Sequence, residues 1–214
     1  HRDLHLIARR QRQMCIRDRH NLKEVGGIKN RSNHLKLFNL CSKLMMKIVE
    51  GKKPVIAKVH GAAYAAGCQL AASCDLAYST TTATFATPGV NIGLFCSTPM
   101  VAVSRKVTRK IMMKMLLTGE PINAKYAKDI GLINDCFSSK KLNSEVLKIA
   151  KTISSKSNLT IKIGKQAFYK QLEMPLGDAY KFTSKMMTLN MASQDAKEGI
   201  SAFLQKRKPN WKNK

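Results

Sequence analysis

The sequence predicts an α/β fold with a helical tail. Three observations carry this. Short β-branched runs alternate with helix-length segments between residues 54 and 137, and from residue 141 onward only helix periods remain. The run Val55-Ile56-Ala57-Lys58-Val59 has the pattern of a buried strand, and it leads through small residues, His60 to Gly67, into an alanine-rich helix at 68–74.

That last stretch organises the rest. Small residues where a strand turns into a helix let the backbone approach a ligand closely. The helix start offers unpaired N–H groups and a partial positive charge, which suit an anion or an oxygen that becomes anionic during a reaction. Such turns also serve merely to pack a helix on a sheet, and the turn alone leaves both roles open.

The elements follow in order. A helix is expected over 33–50, with Leu37, Cys41, Leu44 and Ile48 on one face and Ser32 or Asn33 as N-cap. Gly51 ends it and Pro54 opens the first strand. Strands are expected at 75–79 and 83–85, while 86–95 holds too much Gly and Pro for regular structure. Helices are expected at 98–105 and 108–118, broken by Gly119-Glu120-Pro121. Asn123 caps a helix over 124–130, which Gly131 stops. After an extended link at 132–137, helices are expected at about 141–156, 158–172, 176–193 and 195–206, before Pro209 and Trp211 close the chain.

Composition excludes several classes. With 214 residues, 44% of them hydrophobic, and no apolar run of membrane-spanning length, the chain can bury a sizeable core. Its six cysteines show no Cys-x-x-Cys pair and no His/Cys cluster at metal-ligand spacing. Buried free thiols in a reducing compartment, and no metal, are expected. The net charge of +25 favours anionic partners: nucleic acid, acidic membrane surfaces or phosphorylated small molecules. It is spread as single lysines, with no zinc finger or RNP-type strand beside it. A solvated lysine-rich surface is therefore expected, and nucleic acid is not.

The first nineteen residues differ from the rest. Six of the ten arginines lie in His1–Arg19, whereas residues 20–214 carry four arginines against 28 lysines. The segment reads as a non-native extension, with a transit-peptide remnant as the alternative; its acids Asp3 and Asp18 count against the latter. The domain division expected is 1–19 as extension, 20–140 as a partial core, and 141–214 as a C-terminal helical region.

Several ordered motifs then carry a resemblance. Lys53-Pro54-Val55-Ile56-Ala57 with Ala65-Ala66-Gly67-Cys68-Gln69-Leu70 and Cys74-Asp75 is followed by Phe85-Ala86-Thr87-Pro88-Gly89, Asn91-Ile92-Gly93-Leu94, Leu117-Thr118-Gly119-Glu120-Pro121 and Glu198-Gly199-Ile200. This resembles the crotonase (enoyl-CoA hydratase/isomerase) superfamily from His20 to about Lys212. The wording Ala66-Gly67-Cys68-Gln69 and Gly164-Lys165 resembles a mitochondrial branch of it.

The resemblance implies a crotonase-like α/β fold, a ββα superhelix core incomplete at its N-terminus, with a C-terminal helical trimerisation region. It implies an acyl-CoA as substrate or ligand, no covalently bound cofactor, and a homotrimer or hexamer. Two backbone N–H groups of the superfamily grip the thioester oxygen; they fall on Ala66 and His20. Asn21 stands where that second turn usually has Asp, and Arg19 where it usually has Gly. Gly67, Pro88 and Leu94 would contact substrate, and Lys23 and Lys206-Arg207-Lys208 would meet CoA phosphates. The two glutamates that hold and relay the proton of the attacking water fall on Gln69 and Gly89.

Gln does not titrate and Gly has no side chain, so neither can act as a general acid or base. Asp75 is expected as a structural hydrogen-bonding group. The leading expectation is an acyl-CoA-binding, hydratase-like protein of mitochondrial fatty-acid metabolism with little hydratase activity. Two others stay open: a decarboxylase or isomerase that relies on the oxyanion hole alone, and an RNA-binding relative using Arg105, Lys106, Arg109, Lys110 and Lys114. A truncated chain is also expected to leave the strand at 55–59 without its partners. Phe203 and Leu204 are expected to be buried, in the chain's own core or against another subunit.

Overall fold

A computed structural model of the chain describes residues 26–27 and 30–213, and His1–Arg19, His20 and Lys23 lie outside the described residues. The chain forms two compact units, one built mainly from residues 55–147 with the helix before them, the other from 50–54 and 148–213.

In the first unit, helix α1 (Arg31–Val49) begins two residues earlier than expected. The Asn30 Oδ1 accepts the Ser32 N–H at 2.8 Å, so Asn30 does the capping expected of Ser32 or Asn33. Its buried side chains are Met45 and Ile48, while Leu44, expected inside, is exposed.

Strand β1 (Ile56–Val59) is followed after only two residues by β2 (Ala62–Tyr64), inside the stretch expected to be loop. Helix α2 (Ala66–Ser73) then leads to β3 (Leu76–Thr80) and β4 (Thr84–Ala86). A 3₁₀ helix spans Pro88–Ile92, where irregular chain was expected. Helices α3 (Ser97–Val103) and α4 (Arg109–Thr118) come next. The short β5 (Ile122–Asn123), which the sequence did not announce, precedes α5 (Ala124–Asp129) and β6 (Asp135–Phe137). Asn123 caps α5 as expected, its side chain accepting the Tyr126 N–H.

The strands divide between two sheets. One has the order β1-β3-β6 and the other β2-β4-β5. Ile56 pairs with Leu76 and Ala62 with Thr84, both in parallel register, so β1-β2 and β3-β4 each step from the first sheet to the second. Parallel pairing needs a crossover, and α2 supplies it between β2 and β3. This is a ββα winding. The expectation that the strand at 55–59 lacks partners and leaves an open edge is corrected in part. β3 pairs with it along its length, while among the described residues β1 is an edge strand of its sheet, as expected.

Packing explains the small residues. Ala63, Cys68, Ala71 and Ala72 join Val59, Phe85 and Val103 in one buried cluster. Alanines on α2 let it sit close to both β2 and α3. Phe85 is fully buried, which stabilises the fold by about 1.5–3 kcal/mol. Asp75 has the structural role expected, since its Oδ2 accepts the Val55 N–H at 2.6 Å and ties the two strand starts together. Cys68, Cys74 and Cys96 are buried cysteines, Cys41 and Cys136 are half-buried ones, and Cys15 lies outside the described residues.

The second unit is helical. It takes in the end of α6 (Ser139–Ser154), then α7 (Asn158–Gln171), α8 (Leu176–Met191) and α9 (Gln194–Leu204). Ser157 and Ser193 cap α7 and α9, accepting the Thr160 and Ala196 N–H groups. The tail after α9 folds back as a strap. Arg207 grips Glu198 with two bonds of 2.6 and 2.9 Å, and the Asn210 N–H donates to the same carboxylate. The buried Asp195 accepts the Ser157 hydroxyl and the N–H groups of Lys212 and Asn213. Trp211 donates its indole N–H to the Ser155 carbonyl at 2.8 Å. Gly199 leaves room for its ring, because a Cβ there would lie 3.2 Å from it.

The strap is expected to be sensitive to acid. The Arg207 guanidinium and the Asn210 N–H pull the Glu198 carboxyl down to about 2. Burial alone would raise Asp195, but bonds from Ser157, Lys212 and Asn213 outweigh it and hold the carboxyl below its ordinary value. Groups with depressed folded values stabilise above their unfolded values, and that stability is lost as pH falls through the folded ones. Emission of Trp211, the single tryptophan, is therefore expected to hold steady above pH 4.5 and to shift red as the pH falls from there toward 2. An unchanged spectrum down to pH 2 contradicts this account of the strap.

Phe203 and Leu204 are 82% and 74% exposed, which corrects the expectation of burial in the chain's own core. With Leu176 and Tyr180 they leave α8 and α9 with uncovered apolar surface.

Candidate functional site: the strand-to-helix turn

The turn from β2 into α2 is made by one residue in an unusual conformation. Ala65 has φ 46° and ψ −112°, a region that favours glycine. It is held there at both ends: its N–H donates to the Ala86 carbonyl on β4, and its carbonyl accepts the Gln69 N–H, each at 2.9 Å. Holding a non-glycine residue there costs about 1–3 kcal/mol. Ala65→Val, with a branched Cβ, is expected to lower the unfolding midpoint clearly, whereas Ala65→Gly is expected to leave it equal or higher. Thermal melts of both variants check this.

The Gln69–Ala65 bond is the first of the helix, so the N–H groups of Ala66, Gly67 and Cys68 precede all intrahelical bonding. No side chain caps them. They form a small donor cradle at the positive end of α2. Ala66 is half-buried, and Gly67 is buried and carries no Cβ to obstruct approach. An oxyanion seated there meets preorganised backbone donors.

Gln69 lies one turn further in and is only 4% exposed. The Cys41 thiol from α1 points to its Oε1 at 3.9 Å. Gly89 is buried in the 3₁₀ helix. A Cβ built on it would lie 2.7 Å from the Leu94 carbonyl oxygen and 2.9 Å from the Cys96 Sγ. Its N–H donates to that sulfur at 3.3 Å, and its carbonyl accepts the Leu94 N–H at 3.0 Å. The position is closed to any side chain. Pro88 is buried beside it; the Leu94 side chain is 55% exposed, so it is the Leu94 backbone that closes this site.

The neighbouring thiols supply no ready base here. Burial, then the proximity of Cys96, pushes the Cys68 thiol up to about 12. Burial also raises Cys41. Both stay protonated near neutral pH, and the thiolate is the reactive form. The Thr87 hydroxyl, next to Pro88, is buried without a hydrogen-bond partner. Among the described residues no group of three His, Cys, Asp or Glu side chains could hold a metal ion.

Of the residues singled out by sequence, the first unit brings Ala66, Gly67 and Gln69 onto α2, with Pro88, Gly89 and Leu94 in and just after the 3₁₀ helix. His20 and Lys23 lie outside the described residues. Lys206 is an exposed residue of the C-terminal unit, with φ 51°. Sequence reasoning missed Ala65, Cys41 and Cys96. A helical period does put Cys41 on the inner face of α1, but its meeting with Gln69 depends on tertiary packing.

The ββα winding and the uncapped helix start together define a crotonase-type fold. A crystal structure of enoyl-CoA hydratase from Mycobacterium smegmatis superimposes with a TM-score of 0.88 at 46% identity, covering 90% of this chain and 75% of that one. Human enoyl Coenzyme A hydratase domain-containing protein 3 superimposes at 0.87 and 51% identity, covering 90% and 76%. The chain belongs to the enoyl-CoA hydratase/isomerase family, which it matches over residues 21–214. By sequence it is 50% identical over 192 residues to human enoyl-CoA hydratase domain-containing protein 3, mitochondrial, covering 90% of this chain. It is 36% identical over 163 residues to the mitochondrial enoyl-CoA hydratase of Pongo abelii, covering 76% of this chain. The chain spans 63% of the first of these relatives and 56% of the second.

Proposed function

We propose that this protein binds an acyl-CoA thioester with its carbonyl oxygen at the start of α2, and that it hydrates enoyl-CoA esters poorly or not at all. The observation that carries the proposal is the pairing of an open donor cradle at Ala66 with a Gly89 position closed to side chains. Electrostatic stabilisation of an enolate-like oxyanion is retained. The two groups that would deliver water are not, since Gln69 cannot titrate and Gly89 has no room for a carboxylate.

Mitochondrial fatty-acid metabolism is the setting this reading adopts, on the strength of relatives named as mitochondrial. The uncovered apolar residues of α8 and α9 support self-association, and a homotrimer is the assembly proposed. A second reading, decarboxylation or isomerisation through the oxyanion cradle alone, draws on the same donors without an acid–base pair. Calorimetric titration of the full chain with butyryl-CoA tests the binding step. Saturable heat that excess CoA competes away is expected, and no detectable binding overturns the proposal. Turnover of a malonyl-type CoA ester would favour the second reading.

A further inference from the structure

The surface of α4 is organised in a way the acyl-CoA reading does not use. Met112, Met115 and Leu116 are buried on its inner side. The outer side presents Met113 and Leu117, 49% and 60% exposed, one helical turn apart and in line. The same spacing continues this line back to Arg109, one turn before Met113, and sets Lys110 and Lys114 in the row beside it, all exposed. Arg105, two residues past α3, adds a further cation in the connection between the helices.

The chain around them carries no acid: it holds no Asp or Glu between Asp75 and Glu120. A short apolar ridge flanked by cations matches a surface that is anionic outside and hydrocarbon within. We propose that the outer face of α4 is a peripheral docking surface for an anionic phospholipid bilayer. Met113 and Leu117 enter the boundary between headgroups and acyl chains while Arg109, Lys110 and Lys114 meet phosphates. Charge complementarity selects this occupant. A second copy would set like charges against each other, and a nucleic acid would find no aromatic ring on α4 to stack on. No helix among the described residues is long and apolar enough to cross a membrane, so the contact is interfacial.

The experiment is co-sedimentation of the full chain with vesicles of phosphatidylcholine alone or mixed with phosphatidylglycerol. Binding to the mixed vesicles, weakening with added salt, is expected. The double variant Lys110→Glu/Lys114→Glu is expected to lose at least about tenfold in affinity, because each cation near such a surface contributes several-fold. Met113→Ser/Leu117→Ser is expected to weaken binding while leaving the salt dependence in place. Circular dichroism of both variants confirms that they fold; if either does not, single substitutions at the same exposed positions replace it. Equal binding to neutral and anionic vesicles, no binding, or full binding by the charge-reversed variant overturns the proposal. Salt-sensitive RNA binding, or self-association, lost in the same variants without vesicle binding also overturns it.

Discussion

Gly89→Glu, which places an acid where the resemblance implies one, is expected to destabilise the protein and not to create a hydratase. The Cβ alone would sit 2.7 Å from the Leu94 carbonyl oxygen, a backbone atom held by its own N–H bond to the Gly89 carbonyl. It would also press on the Cys96 Sγ, which accepts the Gly89 N–H. Forcing atoms into such a packed site costs about 1–3 kcal/mol before the carboxylate is placed. Gly89→Ala is expected to show most of this loss in a thermal melt, which separates the steric effect from the charge. By contrast, Gln69→Glu is nearly isosteric and is expected to be tolerated if the buried carboxyl stays protonated. Crotonyl-CoA hydration by the double variant at the rate of a two-glutamate enzyme would sink this account of the 3₁₀ helix.

Ala66→Pro carries the second large effect. At position 66, the first of α2, a proline removes an N–H that has no intrahelical partner. It also restricts the residue before it, so the substitution is made in the Ala65→Gly background, where no Cβ at φ 46° opposes the ring. The substitution therefore removes the donor proposed for the thioester oxygen and leaves the helix otherwise intact. Losing a neutral hydrogen bond in the ground state costs about 0.5–1.5 kcal/mol, or roughly tenfold or less in butyryl-CoA affinity. Losing an oxyanion donor costs about 10²–10³ in rate. Exchange of the acyl-CoA α-hydrogen for deuterium, or turnover of any CoA ester found to react, is expected to fall much further than binding. Equal losses in both would mean that the Ala66 N–H binds substrate without selecting the oxyanion.

Much of this was legible before the structure. The β-branched run at Val55–Val59 and the alanines of α2 announce their strand and helix, and Asn123 announces the cap of α5. Gln69 and Gly89 are visible in the letters at the two positions where the resemblance implies glutamates. What was not legible depends on partners distant in sequence. Ala62–Tyr64 holds two alanines, which favour strands weakly, and it becomes β2 because β4 pairs with it. Ile122–Asn123 is too short to show a period and exists through pairing with Thr84 and Phe85. Nothing in the sequence shows Ala65 held at positive φ, or Gly89 walled in by Leu94 and Cys96. The first follows from the bonds of Ala65 to Ala86 on β4 and Gln69 on α2, the second from how the chain folds back after the 3₁₀ helix.

The central claim is that the protein keeps an acyl-CoA oxyanion site without the groups that activate water. The most direct measurement is the hydration rate of crotonyl-CoA, followed by loss of its enoyl thioester absorbance at saturating substrate, with binding measured in parallel. Positioned acid–base groups contribute about 10²–10⁴-fold each, so the account predicts saturable binding with hydration at least that far below a two-glutamate hydratase. Hydration at the full rate of such an enzyme would contradict it.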